Sequence, residues 1–270
     1  MSKKLLVILG LVSLFQGNLF SAEGGQPPRK KRRLNEDYNN VNVQLRDAAS
    51  SGNLEALIRL LGTPGINVNA ADPQGRTALM VAARYGHTDY VERLLGVGGI
   101  DVNAVTAQGG TALMFAARHG HTNCVEHLLR VDGINVNAVN AQGGTALMIA
   151  AENGHTNCVE RLLGVNGINV NAVDPEGWTA LMVAARYGHT DCVERLLRVD
   201  GINVNAVAVQ GRTALMFAAQ NGHADCIQPL LSKGASIDMR DNFHRTALFI
   251  AGQFNHESVV NLLVDEGYEV

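Results

Sequence analysis

Residues Thr77 to Ala104 read TALMVAARYGHTDYVERLLGVGGIDVNA, and most of the chain is built from copies of this stretch. Thr77, Thr111, Thr145, Thr179 and Thr213 recur at intervals of 34 and each opens TALM, while Thr246 opens TALF after 33. Self-similarity at such a period is the signature of stacked supersecondary units. Within one copy, Thr77 stands where a hydroxyl can accept the orphan N–H groups of a first helical turn. Leu79, Ala82 and Ala83 form a narrow apolar stripe whose small alanines let neighbouring helices approach. Gly86 suits a left-handed position that ends this helix. His87 begins the next turn, and a second helix from about Asp89 to Leu95 is expected to bury Val91, Leu94 and Leu95. The Gly-Gly-Ile-Asp-Val-Asn segment then leads into a hairpin. One unit cannot bury its own faces, so stacking must supply the core.

From about Val41 to Val270 this pattern resembles the ankyrin repeat family, in seven units. The resemblance implies an all-α solenoid of helix-turn-helix units joined by β-hairpin loops. The sequence departs from the family's Thr-Pro-Leu-His motif: Pro is replaced by Ala78, Ala112, Ala146, Ala180, Ala214 and Ala247, and His by Met in five units and Phe249 in the last. The resemblance implies that this His ties neighbouring units by hydrogen bonds; here sulfur and methyl packing is expected in its place. Five units carry an extra residue between Leu-Leu and Gly-Ile, which lengthens a loop. The first unit, Val41 to Ala70, lacks TALM but keeps Ala48, Ala49, Gly52, Leu57, Leu60 and Leu61, as an N-terminal cap would. The last, with Phe243, Phe254 and Tyr268, reads as a closing unit.

The 270 residues are 46% apolar and 17% charged, enough to bury a sizeable core, and the net charge of -3 excludes the basic signature of a general nucleic-acid binder. Ahead of the repeats, Lys3 and Lys4 precede an uncharged run from Leu5 to Ala22, densest from Leu5 to Phe15. This describes a secretory signal over residues 1–22 rather than a membrane anchor. Residues 23–40 read as a disordered basic linker, in which Pro27 and Pro28 precede Arg29, Lys30, Lys31, Arg32 and Arg33. The basic run resembles a monopartite nuclear localisation signal; the alternative is a solvated linker touching anionic surfaces. The two signals are compatible in a protein that leaves one cell and acts in the cytoplasm or nucleus of another, as a bacterial effector would.

Cys124, Cys158, Cys192 and Cys226 are also spaced by 34, with Tyr90 holding that place earlier. Stacked units lie about 10 Å apart, too far for neighbouring cysteines to bridge, and a line of thiols cannot surround a metal. Buried, reduced thiols are expected, with no metal and no cofactor. His87, His121, His155, His189, His223 and His256 repeat as regularly, and local hydrogen bonding in the inter-helix turn is the expected role. No phosphate loop, nucleophile elbow or zinc-protease motif occurs, so nothing argues for an enzyme.

Function must therefore lie where the repeats differ. The family resemblance implies that the residue before each capping Thr, and the two after each Ala-Ala pair, face a concave groove. Those positions hold Arg76, Arg84, Tyr85; Gly110, Arg118, His119; Gly144, Glu152, Asn153; Trp178, Arg186, Tyr187; and Arg212, Gln220, Asn221. Five arginines and one glutamate stand here, against 15 basic and 22 acidic side chains from Val41 onward. A basic groove on an acidic body predicts a protein partner with an acidic surface, no small-molecule substrate, no membrane insertion after signal cleavage, and a monomeric chain. Trp178, at a hairpin tip beside Arg186 and Tyr187 and close to Arg212, is the expected anchor. A nuclear nucleic-acid- or chromatin-directed factor using residues 29–33 is the competing reading.

Overall fold

The computed structural model describes residues 41–267, and the expectations for residues 1–40 and 268–270 lie outside them. Fourteen α-helices follow in seven antiparallel pairs: α1 (41–51) with α2 (Leu54–Leu61), α3 (Ala78–Tyr85) with α4 (Thr88–Leu95), α5 (Ala112–Arg118) with α6 (Thr122–Leu129), and α7 (Ala146–Glu152) with α8 (Thr156–Leu163). The series continues with α9 (Ala180–Tyr187) and α10 (Thr190–Leu197), α11 (Ala214–Asn221) and α12 (Ala224–Ser232), then α13 (Ala247–Gln253) and α14 (Glu257–Gly267). From α3 onward, each odd-numbered helix packs on its pair mate and on the next odd-numbered helix, and from α2 onward the even-numbered helices form a second row.

The capping reading holds. The hydroxyls of Thr77, Thr111, Thr145, Thr179, Thr213 and Thr246 each accept the N–H three residues on, at 3.2 to 3.4 Å. Leu79, Ala82, Ala83, Val91 and Leu94 are buried with their equivalents as far as α12 in one continuous core, whereas Leu95 is only half-buried because it lies at the helix edge beside the loop. The five methionines at the family's His position are buried. Phe249 at the same position is 59% exposed, since no helix pair follows it among the described residues.

The loops are simpler than β-hairpins. Among the described residues no strand forms, and Ala208–Arg212 is the isolated bridge. Each loop is instead pinched by one backbone pair, as in Thr106 N–H to Gly110 C=O at 3.0 Å and Asn140 N–H to Gly144 C=O at 3.1 Å. The first residue of the turn supplies the rest: Asp72, Asn140, Asp174 and Asp241 each accept the N–H groups two and four residues on. This side-chain turn replaces the ladder a strand would need.

Three side-chain ladders fasten the units, beside backbone bonds between successive loops such as Ala107 N–H to Gln74 O at 3.0 Å. The histidines do not bond locally as expected; each Nε2 reaches back to the C-terminal turn of the previous pair's first helix. His87 meets Ser50 O, His121 Arg84 O, His155 Arg118 O, His189 Glu152 O, His223 Arg186 O and His256 Gln220 O, at 2.9 to 3.1 Å. The asparagines of the Val-Asn-Ala segment reach forward. Asn103 donates to Gly133 O and accepts from Asn135 N–H, both at 2.8 Å, and Asn69, Asn137, Asn171 and Asn205 repeat this clamp. The third ladder runs through the core, where Thr88, Thr122, Thr156 and Thr190 hydroxyls lie 3.3 to 3.7 Å from the thiols of Cys124, Cys158, Cys192 and Cys226. Those cysteines are free and buried, and burial pushes their thiols above the usual range despite the threonine contacts. At the same place Tyr90 extends further and its hydroxyl donates to Leu45 O of the first pair at 2.9 Å.

Candidate functional site

The C-terminal turns of the first helices and the pinched loops are the walls of the groove. The histidine ladder sets its spacing, because the carbonyls it holds belong to Arg84, Arg118, Glu152, Arg186 and Gln220, the groove residues themselves. Their side chains are thus carried on backbone that is fixed from the neighbouring unit. At Gly86 and Gly120 the helix ends in the left-handed region, φ 75° and 72°, and a Cβ would lie 2.4 and 2.7 Å from the Nδ1 of His121 and His155. Glycine is required there both for the turn and for the imidazole laid across it.

The five groove arginines fall into two sets. Arg76 is tied to its own loop, Nε 2.6 Å from Asp72 Oδ2, and Arg212 is half-buried between Gln220 Oε1 and Asp241, whose Oδ2 lies 3.6 Å from its Nε. Burial would raise the Asp241 carboxyl, but hydrogen bonds from Arg245 and backbone N–H groups outweigh it and hold the group below its ordinary value. No ion pair engages Arg84, Arg118 or Arg186 among the described residues, and all three are exposed. Glu152 is exposed, and Asn153 and Asn221 turn back to donate to Ile149 O and Phe217 O of their own helices, both at 2.8 Å.

Trp178 is brought together with Arg186 and Tyr187 as expected. The Arg186 guanidinium lies 5.1 Å from the indole centre and 5.6 Å from the Tyr187 ring. Trp178 is, however, at the foot of its loop, where its carbonyl accepts the Asp174 N–H; Pro175 and Glu176 form the tip. Nor is the indole free. It stacks on Phe217 of the following pair at 4.2 Å, and its Nε1–H donates to Glu176 Oε2 at 3.3 Å. A neighbouring aromatic ring offers a large apolar face, so the indole covers it instead of standing in solvent. Trp178, Arg186 and Arg212 border one cleft of about 230 Å³.

Sequence reasoning missed the floor of the groove. Val81, Phe115, Ile149, Val183 and Phe217 occupy the residue after each buried Met and line the clefts between loops and helices. The signal was present: within an otherwise constant TALM-x-AA frame this position alternates among Val, Phe and Ile. The four groove clefts measure about 220, 490, 550 and 230 Å³ in chain order. Among the described residues no group of three or more His, Cys, Asp or Glu gathers to hold a metal, and no helix is long and apolar enough to cross a membrane.

A row of paired helices, fastened by side-chain ladders and presenting variable residues along one groove, defines a helical repeat solenoid built for recognition. The chain belongs to the ankyrin repeat family, whose profile of ankyrin repeats (3 copies) matches residues 45–140, 133–208 and 201–270. No curated protein matches. Among solved structures, the ankyrin repeat domain of Bcl-3, described as a unique member of the IkappaB protein family, is 28% identical, with a TM-score of 0.71 over 82% of this chain and 97% of that one. The human ASB11 ankyrin repeat domain is 31% identical, with a TM-score of 0.70 over 81% and 96%. The ankyrin repeat protein EF0377 is 26% identical, with a TM-score of 0.65 over 73% and 98%. Ankyrin repeats are protein-interaction scaffolds, and this family is typically non-catalytic.

Proposed function

We propose that the chain is a non-catalytic scaffold whose groove holds a partner protein with an acidic surface. The observation that carries this reading is the set of Arg84, Arg118 and Arg186, exposed and free of carboxylates on an otherwise acidic repeat array. Unpaired guanidiniums on a fixed backbone lose little entropy on meeting carboxylates or phosphates. The chain acts as a monomer. Its N-terminal segment exports it, and it works as an effector in the cytoplasm or nucleus of a recipient cell, with the basic run from Arg29 to Arg33 as the nuclear address.

The test is capture of interacting proteins by the full chain and by its Arg84→Glu, Arg118→Glu, Arg186→Glu variant, with Arg59→Glu, Arg93→Glu on the second-helix row as control. Partners lost only in the groove variant are the expected result. An unchanged partner set in all three proteins defeats the reading. The competing nucleic-acid reading rests on the five consecutive basic residues, and predicts duplex binding that weakens steeply with salt and is lost when residues 29–33 become alanine.

A further inference from the structure

The groove is not uniformly basic. The clefts on either side of the one that holds Phe115 at its floor contain carboxylates: Asp47 and Asp72 before it, Glu152, Asp174 and Glu176 after it. The Phe115 cleft, of about 490 Å³, has none among its lining residues and is bordered by Arg84, Arg118 and His119. Its floor is open for a specific reason. Gly110 stands where other units carry Arg76, Trp178 or Arg212, and a Cβ there would already lie 3.5 Å from the Phe115 ring. The equivalent ring in the later unit, Phe217, is covered by Trp178 of the preceding loop; the same place beside Phe115 is held by Arg76, which is tied to Asp72, and no aromatic ring stacks on Phe115 among the described residues.

The cations of this cleft are held against one another. The backbone carbonyls of Arg84 and Arg118 are each fixed at 3.0 Å by His121 and His155. His119, between the two arginines, has its imidazole pushed below the ordinary value by burial and then by Arg84, His121, Arg118 and His155. No carboxylate offsets this repulsion, so the cleft lacks a counter-charge of its own. A single carboxylate would answer one guanidinium. A phosphate monoester brings nearly two charges and three acceptor oxygens, enough for both forks.

We propose that this cleft receives a phosphotyrosine of the partner protein, its ring over Phe115 and its phosphate between Arg84 and Arg118. The proposal rests on the groove being a protein-binding surface and names what it reads there. His119 serves as a positioning group whose protonated form the entering dianion favours.

The experiment titrates phenyl phosphate into the isotopically labelled full chain and follows backbone and imidazole resonances by NMR. The expected result is saturable binding that moves Phe115, Arg118 and His119 and raises the His119 titration midpoint. Phenylacetate and inorganic phosphate should each bind about tenfold or more weakly, since each lacks one half of the recognition. In Arg84→Gln, Arg118→Gln the response should disappear, and in Arg59→Gln, Arg93→Gln it should persist. Equal binding of inorganic phosphate or of phenylacetate, or an unchanged response in the Arg84→Gln, Arg118→Gln protein, would overturn the proposal. Because no partner protein is present, failure here is separate from failure of the groove reading, which the capture experiment decides.

Discussion

His189 Nε2 lies 3.0 Å from the carbonyl oxygen of Glu152, while its Nδ1 faces Gly154 so closely that a Cβ there would approach to 2.7 Å. A carbonyl can only accept, so the proton of the neutral ring is on Nε2. One imidazole thus closes the turn of the unit before it and supports the backbone of a groove residue. Gly154→Ala is expected to cost about 2 kcal/mol, from a left-handed backbone and a displaced ring. His189→Ala should cost about 1 kcal/mol, the net worth of its hydrogen bond. Because the two share one contact, the double variant should be less unstable than the sum, by about 1 kcal/mol in equilibrium denaturation. Strict additivity would show that the ring does not rest on Gly154.

The ionic cluster near the C-terminal end makes a second case. The Asp241 side chain is fully buried, 2.7 Å from Arg245 and 3.6 Å from Arg212. Asp241→Asn leaves two guanidiniums with no carboxylate and should cost about 3 kcal/mol at neutral pH. Since the folded-state carboxyl lies below its ordinary value, its contribution is complete above the unfolded value and is lost as pH falls through the folded one. The gap between the native protein and the variant should accordingly close at the acid end of a urea-midpoint series, and a gap independent of pH would contradict this account.

The thiol ladder should be silent to reagents. Burial raises all four thiols, so thiolate is scarce and inaccessible. Native protein is expected to leave Cys124, Cys158, Cys192 and Cys226 unmodified by a thiol-disulfide reagent at pH 8, and denatured protein to expose all four. Rapid labelling of one cysteine in the native state would locate a unit that opens.

Trp178 is the sole tryptophan in the chain, and its fluorescence reports the stack on Phe217. Phe217→Ala should shift the emission to longer wavelength as the indole gains water, and Trp178→Ala should cost about 1 kcal/mol beyond its buried area through the lost ring pair. An unshifted spectrum in Phe217→Ala would mean that Glu176 and Arg186 alone hold the indole.

The period of 34 made the architecture legible, because one unit read correctly is read seven times. Capping by Thr77, the left-handed Gly86 and the buried line of cysteines all followed from local rules. The histidines did not, since a residue beside a turn looks local until the neighbour's carbonyl is in place, 37 positions away for His121. The same limit hid the floor of the groove. Phe115 and Phe217 occupy equivalent positions, yet the preceding loop sets Arg76, tied to Asp72, beside the first ring and Trp178 over the second. The split of the arginines into paired and unpaired sets was equally beyond a list of positions, since Arg212 finds its carboxylate in the following unit.

The backward histidine and the forward asparagine give each of the first five junctions two different fasteners, both set to the same period, and His256 holds the last. Length in this molecule is therefore counted in whole repeats. Excision or duplication of one full period rejoins each His to a waiting carbonyl and each Asn to a waiting glycine, so recombination between units can lengthen or shorten the array without passing through a broken form. The lineage of such a chain can vary its reach by arithmetic steps while each groove position is revised separately.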